Sequence, residues 1–235
     1  MASAWRVEGY GRSVRGAELR VHLPRQPRHL LVAGLHGEEP ETVQLARGIL
    51  DRVDAASATC AIVLCANPDG AADGMRQNAR GVDLNRNFPA SSWRPGTTPS
   101  YPAGIDPARR VPANRTNVSS TGESPLSEPE SAALAALIER LGPVLVLDLH
   151  APLELVLTTP LVPGDVAREL AEAAGLELTD ELGSPVPGAL RDWLGENGVP
   201  CITYEVEHAG LPALHARHLP GLSAFVTRTP VTSPG

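Results

Sequence analysis

Three places in the chain put metal-ligating or acid/base groups at the ends of apolar runs. His36 opens the tetrad "HGEE" directly after "LLVAGL", so an imidazole and the Glu39 carboxylate lie three residues apart. A strand turning into a helix can aim both side chains at one ion, and this donor pair suits zinc. His150 closes a second apolar run, "LVLDLH". Together, His36, Glu39 and His150 offer two imidazoles and one carboxylate with a fourth position left for water, which is the pattern of a catalytic rather than a structural zinc. The third place is "CITYEVE", where the period of two puts Glu205 and Glu207 on the same strand face. Either acid could serve as a general base or stand at an exposed strand end. Each piece is weak alone, since an isolated His-x-x-Glu is usually a pair of ordinary polar groups.

The intervening sequence must supply elements that bring these places together. "AELRVHLP" and "HLLVAGLHG" have strand character, "EPETVQLARGILDRV" has helical spacing with acids in its first turn, and "TCAIVLCANPDG" is a buried strand closed by a turn. That order predicts a parallel βαβ unit. Apolar periodicity then lapses over about residues 67–127, and a loop region of that length in a compact domain is usually functional or disordered. It returns in "SEPESAALAALIERLG", where Ser127 and Glu130 have the spacing of a capping box, and in the strand "PVLVLDLH". Strand and helix signals continue through "LELVLTT", "GDVARELAEAAG", "VPCITYEVE" and "LPALHARHLPGLSAFV". With no internal repeat and no clean linker, residues 1–235 read as one α/β domain with a nearly parallel sheet.

Composition narrows the function classes. A net charge of -7 without any run of basic residues argues against nucleic acid as a partner. No apolar stretch approaches the roughly 20 residues that span a bilayer, and the N-terminal residues lack the apolar core of a secretory signal, so no membrane is expected and the expected location is the cytoplasm. Cys60, Cys65 and Cys201 are odd in number and sit in apolar runs, as reduced buried thiols would.

Taken in order, "HGEE", "NPDG", "RQNARGVDLNRNFP", "SEPE", "DLH" and "ITYEVE" resemble the zinc metallocarboxypeptidases of the M14 family, from about Leu31 to Glu207. The resemblance implies a single-domain three-layer α/β/α sandwich with a mixed, mostly parallel twisted sheet. It also implies one zinc ion per chain, held by His36, Glu39 and His150, with Glu205 as the catalytic base and Glu207 as the less favoured alternative. Asp83 matches the carboxylate that orients the first histidine ligand, while Asn85 and Arg86 match the pair that grips a substrate's terminal carboxylate. Arg76 matches the group that stabilises the oxyanion, with Arg80 as the alternative. Asn87 and Phe88 are expected to support the loop. Asp148, on the face of His150, either orients that ligand or merely sits at the sheet edge, and the second reading is favoured.

Substrate expectations rest on the same resemblance. The family's closing tyrosine falls at Ser184 by register, so Tyr101 or Tyr204 would have to substitute or the site closes differently. Arg191 falls where the family reads the terminal side chain, and a cation there favours an extra carboxylate. The resemblance is strongest to a bacterial branch acting on murein peptides, which implies hydrolysis of the γ-D-glutamyl-meso-diaminopimelate bond of murein tripeptide, in cell-wall recycling. Two other enzyme readings are a carboxypeptidase preferring acidic termini and a deacylase of the aspartoacylase or succinylglutamate desuccinylase type. A non-cleaving module that captures cell-wall peptides would lack a ligand or the base, and none is missing.

Overall fold

The computed structural model of the chain describes residues 4–100, 118–182 and 186–229. An antiparallel pair, β1 (Arg6–Arg12) and β2 (Glu18–Leu23), leads to β3 (His29–Val32), α1 (Pro40–Arg52) and β4 (Cys60–Val63), the last lying parallel to β3 as the βαβ pattern predicts. Next come α2 (Pro68–Asp73), a single 3₁₀ turn at Leu84–Arg86, and β5 (Thr97–Pro99) paired with β6 (Val118–Ser120) in a small separate sheet. The chain continues as α3 (Pro129–Leu141), β7 (Leu145–His150), β8 (Leu155–Leu157), α4 (Gly164–Ala174), β9 (Glu177–Thr179), α5 (Leu190–Glu196), β10 (Cys201–Glu205) and α6 (Leu211–Thr227).

The main sheet runs β1-β2-β4-β3-β7-β10-β8-β9. Its centre, β4-β3-β7-β10, is parallel, and every residue of these four strands is buried. Strands covered on both faces need apolar residues throughout rather than alternately, which is how these segments read. One face carries α1, α4 and α6, through Leu45, Val166, Leu170, Leu214 and Leu222; the other carries α3, α5 and the segment with Leu84 and Phe88. This is the expected three-layer sandwich. Within the main sheet, antiparallel pairing among the described residues is confined to β1-β2-β4 on one side and β10-β8 on the other.

Two strands went unread, and two local expectations need correction. β1 is largely exposed and β9 has three residues, so neither carries an apolar signal long enough to be read. The capping box at Ser127 does not form: Glu128 is the N-cap of α3 and makes no side-chain cap bond, while Glu130 is drawn to Val14 N and Asn78 instead. Cys60 and Cys201 are buried free thiols as expected, whereas Cys65 is only half-buried.

Candidate active site

Four turns at the C-terminal ends of the parallel strands bring the chemistry together. The "HGEE" turn after β3 packs directly on the "NPDG" turn after β4, because a Cβ on Gly37 would stand 2.0 Å from the backbone carbon of Gly70. Asn67 ties the turns to each other: its Oδ1 accepts from Gly70 N at 2.9 Å, and its Nδ2 donates to Leu35 O at 3.4 Å and Arg76 O at 3.2 Å. Glu39 is the N-cap of α1, yet its carboxylate makes no cap bond and turns to the histidines instead. Parallel pairing of β7 with β10 sets Glu205 directly beside His150.

His36 Nδ1 lies 2.7 Å from Glu39 Oε1, and His150 Nδ1 lies 3.2 Å from Glu39 Oε2 and 3.1 Å from His36 Nδ1. On the far side of each ring, His36 Nε2 donates to Asp83 Oδ1 at 3.1 Å and His150 Nε2 donates to Asp148 Oδ2 at 2.8 Å. Both rings are therefore held at Nε2 by carboxylates and present Nδ1 to a common point with Glu39. The ligand atoms of His36, Glu39 and His150 lie within 4.8 Å of one another, and all three residues are buried. Two ring nitrogens 3.1 Å apart facing a carboxylate make a donor set that fits a zinc-sized cation.

The electrostatics agree. Burial opposes charge on Glu39, but His36 and His150 outweigh it and hold its carboxyl well below the usual range. Burial likewise disfavours charge on His150, yet Asp148 and Glu39 hold its pKa well above the ordinary value. Asp83 is kept ionised despite burial by Arg76, His36 and Arg86. Glu205 behaves differently: burial pushes its pKa from 4.5 up to about 7, with Glu39 adding to the rise and His150 opposing it.

Asp83 links this group to the substrate side. Its Oδ1 also accepts from Asn85 N at 2.9 Å, and its Oδ2 accepts from Arg76 Nε at 2.8 Å and lies 3.8 Å from Arg86 NH1. Asn85 Oδ1 accepts from Leu190 N at 2.9 Å, which leaves its amide nitrogen as a donor for the cleft. Arg86 NH1 donates to Asn85 O at 2.9 Å, while its buried Nε has no hydrogen-bond partner among the described residues. Arg191 bonds Asp192 through Nε and NH2, and its buried NH1 is likewise unpartnered. His36, Glu39, Arg76, Asn85, Arg86, His150, Arg191 and Glu205 all line one cleft of about 550 Å³.

The profile of the zinc carboxypeptidase family, peptidase M14, matches residues 9–170. The chain belongs to this family. It is a peptide hydrolase that uses zinc, for which His36, Glu39 and His150 form a fitting group. It is 37% identical over 202 residues to murein peptide amidase A of Escherichia coli K12, covering 85% of this chain and 80% of that protein. Murein peptide amidase A of Vibrio campbellii is 32% identical over 225 residues, covering 94% and 87%. The crystal structure of murein-tripeptide amidase from Escherichia coli O157 superposes with a TM-score of 0.86 at 34% identity, covering 98% of this chain and 95% of that one.

Within this M14 site the structure separates several alternatives. Arg76 lines the cleft, whereas the Arg80 side chain is exposed and lies 3.6 Å from Glu128 outside it. Glu207 does not share the face of Glu205, because β10 ends at Glu205; its Oε2 accepts from His218 Nε2 at 2.8 Å and pairs with Arg217 at 3.1 Å. Tyr204 is buried with its hydroxyl 2.9 Å from His218 Nδ1, so it is not the closing tyrosine. Ser184 and Tyr101 lie outside the described residues. Asp148 is not a sheet-edge acid: it is 1% exposed and holds His150.

Sequence reasoning missed the scaffold of this site. Asn78 accepts from Arg80 N and Val82 N through Oδ1, and donates to Glu128 at 2.7 Å and Glu130 at 3.1 Å through Nδ2. The two acids of "SEPE" are therefore anchors for the turn that delivers Asp83. Asn87 supports the loop as expected, bonding Thr121 O, Ser124 O, Ser127 Oγ and Glu128 N, and Phe88 stacks on Trp193 at 5.6 Å. An "Asn-x-x-Gly-Val-Asp" spacing within an aperiodic stretch was the available signal.

Proposed function

We propose that this zinc peptidase hydrolyses the amide bond next to a free C-terminal carboxylate, and that its substrate is murein tripeptide, cut between γ-D-glutamate and meso-diaminopimelate. The carrying observation is that two guanidiniums of one cleft, those of Arg86 and Arg191, each have a buried nitrogen lacking a partner among the described residues, beside the His36-Glu39-His150 group. A buried, unsatisfied cationic donor is costly unless a ligand completes it, and two of them suit a terminal residue bearing two carboxylates. Residues 67–127 contribute Arg76, Asp83, Asn85 and Arg86, and so act as the substrate-binding region.

In this reading His36, Glu39 and His150 hold zinc, which supplies the Lewis acidity that acidifies water and polarises a carbonyl. Asn85 and Arg86 anchor the terminal carboxylate, which fixes the scissile bond beside Glu205. Glu205 takes the proton of the attacking water on its carboxylate and delivers it to the leaving amine. Arg76 donates to the oxygen on which charge develops. The curated relatives named murein peptide amidase A support the choice of substrate. A cytoplasmic location belongs to the same proposal; it is supported by three free thiols, and no described helix is long and apolar enough to cross a membrane.

The test is a turnover comparison of murein tripeptide, peptides with plain or acidic C-terminal residues, an amidated tripeptide and N-acetyl-aspartate, with and without chelator. The tripeptide should be cleaved best, and activity should vanish on chelation and return with zinc. Arg191→Ala should lower turnover of the tripeptide more than that of plain peptides. Equal turnover of the amidated form would refute the carboxylate clamp, and a preference for N-acetyl-aspartate would make the chain a deacylase.

A further inference from the structure

Both imidazoles of the metal group rest on carboxylates, but the two carboxylates differ. Asp83 is shared: besides His36 it serves Asn85 N, Arg76 and Arg86, so its charge is largely spent on other partners. The Asp148 carboxylate has one hydrogen-bond partner among the described residues, His150, to which its Oδ2 is joined at 2.8 Å. Among the described residues its buried Oδ1 has no hydrogen-bond partner, and no arginine pairs with it within 4.0 Å. The residue lies in β7, where the two-residue period turns it to the same face as His150, and it is 1% exposed.

A buried carboxylate oxygen without a donor is expensive, and an acid serving only to stabilise the sheet would be expected to find one. A backbone carbonyl would suffice to fix the ring's tautomer. What a carboxylate adds is charge, delivered through the ring to the atom on its far side. We infer that Asp148 is a positioning residue for the metal centre: it fixes the His150 proton on Nε2, leaves Nδ1 as the donor, and supplies through the ring negative charge that helps retain zinc. This inference rests on His150 being a zinc ligand.

Zinc affinity and ring tautomer test it without reference to turnover. Affinity is measured by competition with a chromogenic chelator for the full chain and for Asp148→Asn, Asp148→Ala and His150→Ala. The His150 tautomer is read from long-range ¹H–¹⁵N correlations in the zinc-loaded protein. Asp148→Asn keeps the volume and an acceptor oxygen, so it should keep the Nε2–H tautomer while binding zinc about 10-fold more weakly; Asp148→Ala should lose both, with a drop nearer 100-fold. Should the alanine variant fail to fold, the isosteric asparagine variant still decides the matter. Wild-type zinc affinity in the Asp148 variants, with zinc lost from His150→Ala, would overturn the inference. Stoichiometric zinc retained by His150→Ala would instead overturn the ligand assignment beneath it.

Discussion

Replacing Glu205 by Gln is expected to remove activity and, in the metal-free protein, to raise stability. Glu205 is 8% exposed, and burial pushes its pKa from 4.5 up to about 7. Across that window the folded state binds more protons than the unfolded chain, so the free energy of unfolding falls as pH rises from 4.5 to about 7. At about 1.4 kcal/mol per pH unit, the ionised carboxylate costs the metal-free fold about 3 kcal/mol at pH 8. Glutamine has nearly the same shape and no charge to desolvate. Urea melts of metal-free Glu205→Gln should therefore show a gain of about 3 kcal/mol at pH 8 that disappears by pH 4.5. Zinc should shrink the gain, because a nearby cation favours the carboxylate. Activity of the zinc-loaded variant should fall by about 10²- to 10⁴-fold, the range for losing a general base. The reasoning fails if the two metal-free proteins share one stability profile across this pH range, or if the zinc-loaded variant stays fully active.

Two further substitutions probe the substrate anchor and the scaffold. Arg86→Ala removes charge-assisted bonds worth about 1.5–3 kcal/mol each, so kcat/KM should fall by about 10²- to 10⁴-fold with KM raised; Arg86→Lys should recover only part, since an ammonium cannot reproduce the planar fork. Wild-type kcat/KM in either variant would remove Arg86 from the anchor. Asn78→Ala takes the shared donor from two buried acids, Glu128 and Glu130. A loss of about 2–4 kcal/mol in denaturant melts is expected, and an unchanged midpoint would mean that the turn is held by other contacts.

What could be read in the sequence and what could not divides along the range of the interactions. The four central strands were legible because burial on both faces forces a continuous apolar run, and the metal group because histidine and glutamate types at strand ends are informative by themselves. β1 escaped because four of its seven residues are exposed and none is fully buried, so no run of apolar residues marks it. The Ser127 and Glu130 spacing matched a local cap, yet Glu130 is satisfied by Val14 and Asn78, which lie 116 and 52 residues away. Local propensity lost there to a buried donor that only the fold supplies. Asp148 is the same lesson at the site itself. Its two-residue offset from His150 said which face it shared, but only the packing of β3, β7 and β10 leaves its carboxylate with a single partner among the described residues, and that is what turns an ordinary strand acid into a candidate lever on zinc.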